Sequence, residues 1–123
     1  MTARPTGYAT QIDVDVQRRE GWEQWFMMMA DIHWDNPHCD RRLLKHHLDQ
    51  AKERGADIMI FGDLFCLMQG RYDPRRARDD IRPEHNVANY LQAVVDDWAA
   101  WWEPYAERTR FIRYGNHETA IMQ

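Results

Sequence analysis

Residues 25–33 read WFMMMADIH, and this stretch decides the fold. An apolar run, Trp25 to Ala30, stops abruptly on a carboxylate and an imidazole. So short a run, too brief for an ordinary helix, reads as a strand buried on both faces. The pattern recurs downstream. Ala56–Phe61 (ADIMIF) runs into Gly62-Asp63, and Thr109–Tyr114 (TRFIRY) runs into Gly115-Asn116-His117-Glu118.

Helical patterns separate these runs. In Asp40–Arg54, Leu44, Leu48 and Ala51 recur at spacings of four and three, on one helix face. Cys39 or Asp40 lies near its start, and Gly55 sits where a left-handed terminal residue is wanted. A second helix opens at Pro83-Glu84 and ends near Pro104. Its apolar stripe runs from Val87 and Tyr90 through Leu91, Val94 and Val95 to Trp98, Trp101 and Trp102. Upstream, Gln11–Gln17 (QIDVDVQ) alternates as a half-buried strand does, and RREG follows as a turn. Gln69–Pro83 reads as an irregular, arginine-rich loop.

Strand, helix, strand, helix, strand predicts an α/β fold with a mainly parallel βαβαβ sheet built by right-handed crossovers. The 123 residues suffice for one small domain. Within it, residues 1–21 form an N-terminal strand and turn, and residues 22–123 form the βαβαβ core. A hydrophobic content of 44% sets disorder aside, and a net charge of −4 advertises no general grip on nucleic acid. Two cysteines, Cys39 and Cys66, make no disulfide framework and read as reduced thiols. No signal peptide or membrane span is apparent, so the expected location is cytoplasmic, without a membrane partner.

In open α/β sheets, ligands collect at the carboxyl ends of the strands. The three polar clusters should therefore converge. Asp31 and His33, two apart in an extended segment, share a side and can grip one ion. Asp63 offers two oxygens and can bridge two ions. Asn116 supplies an amide oxygen for the second, and His117 remains available as an acid or hydrogen-bond donor. Gly62 and Gly115 let the backbone approach. Such oxygen and imidazole donors suit Mn²⁺ first, with Fe, Zn or Co as alternatives.

DIH, GD and GNHE, each after a strand and in this order, resemble the first three motifs of the calcineurin-like metallophosphoesterases. The resemblance covers the chain from about Trp25 onwards. It implies the N-terminal half of an α/β/β/α sandwich, and hydrolysis of phosphomonoesters or phosphodiesters by water activated at two divalent metal ions. Asp31 and His33 would hold the first ion, Asp63 would bridge, and Asn116 would hold the second. His117 would assist the transition state and protonate the leaving oxygen. Glu118 would have a supporting role. The implied substrate is a phosphate ester, on nucleic acid or on a small molecule.

The family's later histidines, a lone one and a GHxH-like pair, are not present. The resemblance thus implies a partial domain with a weak second metal site and poor turnover by this chain alone. Two other readings stand beside the enzyme: an inert fragment needing a second segment to complete the site, and an assembly module. Both expect an exposed core face that invites self-association or a complementing chain. His38, in the loop after the first strand, is a surface histidine or a substrate contact. Arg71, Arg75, Arg76, Arg78 and Arg82 form a charge-balanced solvated loop or supply a substrate-phosphate contact. Cys39 and Cys66 read as buried thiols, with metal ligation as the alternative. His46, His47 and His85 read as local residues. Signatures of P-loop, dinucleotide-binding, HExxH and GxSxG enzymes are lacking.

Overall fold

The computed structural model describes residues 1–7, 9–67 and 80–121. It is a mixed α/β structure. An N-terminal hairpin of β1 (Thr2–Thr6) and β2 (Ala9–Asp13) precedes β3 (Phe26–Met29), α1 (Arg41–Glu53) and β4 (Asp57–Phe61). Then follow α2 (Tyr90–Trp102), β5 (Thr109–Arg113) and a short α3 (Asn116–Ile121). Strands β3, β4 and β5 form one parallel sheet in that order, with Met29 opposite Ile60 and Ile60 opposite Ile112. The expected βαβαβ sheet is present.

Right-handed crossovers that step the same way across a sheet put both connecting helices on one face. That face carries the core. Ile58 and Ile60 of β4 are fully buried against Leu48 and Ala51 of α1, Trp102 of α2 and Trp34. Met27 and Met29 of β3 pack on the same cluster, with Trp98 and Trp101. Each large apolar side chain buried there contributes about 1.5–3 kcal/mol.

The opposite face is only partly covered: Asp57 and Met59 of β4 are buried there, but its β3 side is open, which corrects the expectation that the first strand is buried on both sides. Met28 is 70% exposed, and Phe26 and Phe61 also face solvent. A run of apolar residues reports only that a strand avoids polar side chains; whether both faces are covered depends on layers the run does not encode.

Helix α1 begins and ends where its signals place it. The Asp40 side chain accepts from Leu43 N at 2.9 Å, and Gly55 closes the helix with φ +65°. The second helix starts later than expected. Pro83–His85 forms one 3-10 turn, the chain breaks at Asn86, and α2 starts at Tyr90. Val87 therefore lies outside the helix, half-exposed, and Leu91 and Val95 are exposed as well. The apolar stripe was wider than the buried face. Tyr90, Val94 and Trp102 carry the burial instead.

The N-terminal expectation also needs correction. Strand β2 ends at Asp13 and pairs antiparallel with β1, a partner the sequence reading did not place. Val14 and Val16 lie beyond the strand, and Val16 is 67% exposed. Alternation identified the extended backbone around Ile12 but not its partner, because a two-stranded hairpin offers little core for an apolar face.

Candidate metal centre at the carboxyl ends of β3, β4 and β5

Parallel pairing continues past the formal strand ends and draws the clusters together. Asp31 N donates to Gly62 O, His33 N to Asp63 O at 3.0 Å, and Trp34 N to Leu64 O at 2.8 Å. The segments DIH and GD thus run side by side as a continuation of β3 and β4. Between β4 and β5 the backbones nearly touch. A Cβ on Gly62 would lie 2.9 Å from Gly115 Cα, and one on Gly115 would overlap Asp63. The glycines let these two loops approach each other, whereas the sequence reading had assigned them to approach an ion.

The segment after β3 is not extended as expected. Asp31 and His33 take left-handed conformations with φ +52° and +46°, Asp63 has φ +49°, and Leu67 has φ +48°. Such conformations on residues other than glycine cost about 1–3 kcal/mol each and collect where function demands them. Asp31 and His33 still meet. Asp31, His33 and Asp63 each offer a ligand atom, all within 4.8 Å of one another. One ion bonded at about 2 Å needs donors about 3–4 Å apart, so small side-chain movements would complete the set. The donor chemistry fits a divalent ion of hard or intermediate character.

Segment 115–118 turns out to be the start of α3 rather than a plain loop. His117 N donates to Asp63 Oδ1 at 2.9 Å, so the carboxylate of one cluster caps the helix of another. The His117 ring packs edge-on against His33, with centroids 4.7 Å apart. Its Nδ1 lies 2.8 Å from Cys66 O. A carbonyl only accepts, so Nδ1 carries a proton, and in the neutral ring Nε2 carries the lone pair. Asn116, one residue earlier, is exposed at the first position of α3.

Glu118 is a clamp. Its Oε1 accepts from Phe65 N at 2.9 Å and its Oε2 from Gly115 N at 2.8 Å, tying the loop after β4 to the loop after β5. His38 is exposed and lines, with Asp31, His33, Asn36, Cys66 and His117, a cavity of about 400 Å³. Arg71 and Arg75, with Arg76 and Arg78, lie outside the described residues. Arg82 is described, and its Nη2 donates to Asn36 O at 3.1 Å, bracing the loop after β3. Burial is the main cause that pushes the Cys39 thiol up, and Arg41 and Arg82 oppose it.

Two residues that hold the site together escaped the sequence reading. Asp35 is 3% exposed and accepts from Cys66 N, from Leu67 N at 2.9 Å and from Tyr90 OH at 3.2 Å. Asn36 donates from Nδ2 to Cys66 Sγ at 3.5 Å and accepts from His38 N at 2.9 Å. The only signal was their place in the segment after the first strand. His85, read as local, is fully buried against Trp34, with Nε2 2.8 Å from Asp97 Oδ2.

No protein-family model, no curated protein and no solved structure matches this chain. Among the described residues, no helix is long and apolar enough to cross a membrane.

Proposed function

We propose that the rim formed by Asp31, His33, Asp63, Asn116 and His117 is the metal centre of a phosphoesterase of the calcineurin-like type. The observation that carries this reading is the meeting of Asp31, His33 and Asp63 within 4.8 Å at the carboxyl ends of two parallel strands. In this reading Asp31 and His33 hold one divalent ion, Asp63 shares it with a second, and Asn116 gives the second an oxygen. The ions, Mn²⁺ foremost, would neutralise phosphate charge and activate water.

The chain's own residues do the rest. Asp63 accepts from His117 N with one oxygen, which fixes its carboxylate plane beside the other donors. His117, oriented by the Cys66 carbonyl, borders the cavity and, with Nε2 protonated, would donate to the phosphate or to the leaving oxygen. Glu118 holds the two loops at the spacing that this geometry needs. The substrate class is a phosphate ester that an open cleft admits, on nucleic acid or on a small molecule.

The test is a Mn²⁺ titration followed by electron paramagnetic resonance, paired with hydrolysis of an aryl phosphodiester. Binding that is lost in Asp63→Ala, together with slow Mn²⁺-dependent turnover lost in the same variant, is expected. Absence of binding, or turnover indifferent to Asp63, contradicts the reading.

A second reading, self-association, is favoured by the exposed apolar side chains of Phe26, Met28 and Phe61. A second copy is its occupant. Met28→Glu should then shift sedimentation toward monomer; a wild-type chain that is monomeric at high concentration excludes it.

A further inference from the structure

We propose that His33, Cys66 and His117 form a second, thiolate-containing metal site that takes a thiophilic divalent ion such as Zn²⁺ and shares His33 with the oxygen-rich site. The three residues each offer a ligand atom, and these atoms lie within 4.8 Å of one another. Two imidazoles and a thiolate are a donor set for Zn²⁺, Cd²⁺ or Co²⁺ and a poor one for Mn²⁺ or Mg²⁺.

The surroundings are those of a ligand set. His117 donates Nδ1–H to the Cys66 carbonyl, which fixes the tautomer with Nε2 free to ligate, as metal-bound histidines commonly are fixed. His33 Nδ1 is buried and has no hydrogen-bond partner. An imidazole nitrogen withdrawn from water without a partner costs about 1–3 kcal/mol, and an ion would relieve it. Cys66 is 5% exposed, and its sulfur accepts from the Asn36 amide at 3.5 Å, which orients it. Asp35 fixes the Cys66 backbone from the other side. All three ligands border the same cavity, which gives an ion its path. On binding, Cys66 releases its proton to solvent and the S–metal bond takes its place.

Sharing has a consequence. An ion held by His33, Cys66 and His117 puts positive charge on the shared imidazole and occupies His117. Zn²⁺ would then act as an inhibitor of a Mn²⁺-loaded enzyme. That inhibition rests on the proposed function; the thiolate site does not.

Co²⁺ is the spectroscopic probe. One equivalent added to the full chain should give a thiolate-to-cobalt charge-transfer absorption. The band should vanish in Cys66→Ser and in His117→Ala, and persist in Cys39→Ser and Asp31→Ala. Circular dichroism checks that each variant folds. X-ray absorption of the Zn²⁺-loaded Cys39→Ser chain supplies a measurement that leaves Cys66 intact, and a sulfur neighbour at about 2.3 Å is expected. A band that survives Cys66→Ser, or a zinc spectrum without sulfur, overturns the proposal. The two readings fail separately. Loss of Mn²⁺ binding in Asp31→Ala with the cobalt band retained supports both. A missing band alongside intact Mn²⁺ binding defeats only the thiolate site.

Discussion

The two ends of the parallel sheet treat charge and backbone in opposite ways. At the amino ends, Asp57 is buried and neutralised by Arg110 Nε at 2.7 Å, with a further bond from Gln24 Nε2 at 3.2 Å. The left-handed residue there, leading into β4, is a glycine, Gly55, and Arg108 Nη1 donates to its carbonyl at 2.8 Å. At the carboxyl ends, Asp31, His33 and Asp63 gather, and all three hold left-handed conformations that glycine would hold more cheaply. One end is arranged for stability. The other accepts strain to bring donors together, as functional sites do.

The contrast breaks most visibly at Gly115. A Cβ there would overlap the backbone and carboxylate of Asp63. Gly115→Ala should cost about 3 kcal/mol in denaturant unfolding and weaken Mn²⁺ binding by tenfold or more. A variant that keeps both would show that the two loops do not need their close approach.

Asp57→Ala should be next, and its effect should be confined to stability. Removing one partner of a buried ion pair costs about 3–5 kcal/mol. The Arg110 side chain is 40% exposed, so water would partly rehydrate it and about 2 kcal/mol is expected. Mn²⁺ affinity, measured by calorimetry, should not change. Asp31→Gly should do the reverse. The Asp31 side chain is 74% exposed and its φ is positive, so stability should hold or rise by about 1 kcal/mol as the strain is relieved, while Mn²⁺ affinity falls at least tenfold.

The smallest effect lies on helix α1. Asp49 of α1 accepts from Lys45 Nζ and from Tyr105 OH, both at 2.7 Å. The Lys45 bond, then the Tyr105 bond, hold its carboxyl below the ordinary value of 3.8. A depressed carboxylate value contributes stability that is present above 3.8 and is lost as pH falls through the lower, folded value. Thermal midpoints of wild type and Lys45→Met should therefore differ slightly near pH 6 and converge in acid. A gap that widens in acid would reverse the sign.

Much of this architecture was legible in the sequence. Three largely apolar runs ending in polar clusters located β3, β4 and β5, because the strands of a parallel sheet are mostly covered and the chain turns polar where it leaves the sheet. Asp40 and Gly55 marked α1 because capping is local chemistry. Other features are not local. The partner of Ile12 in the hairpin, the bare side of Met28 and the late start of α2 depend on which surfaces meet. Left-handed backbone at His33 is imposed by pairing with Asp63, and no histidine announces it. Asp35 looks like any loop carboxylate until Cys66 and Leu67 donate to it. The candidate ligands Asp31, His33 and Asp63 were readable as chemistry; their supports, Asp35, Asn36 and the clamp geometry of Glu118, required coordinates.

A crystal of the chain soaked in Mn²⁺ and measured at the manganese absorption edge addresses the rim most directly. An anomalous peak within bonding distance of Asp31, His33 and Asp63 is the expected result. A peak only at the donor cluster of Glu84, His85 and Asp97, or none near Asp63, would contradict it.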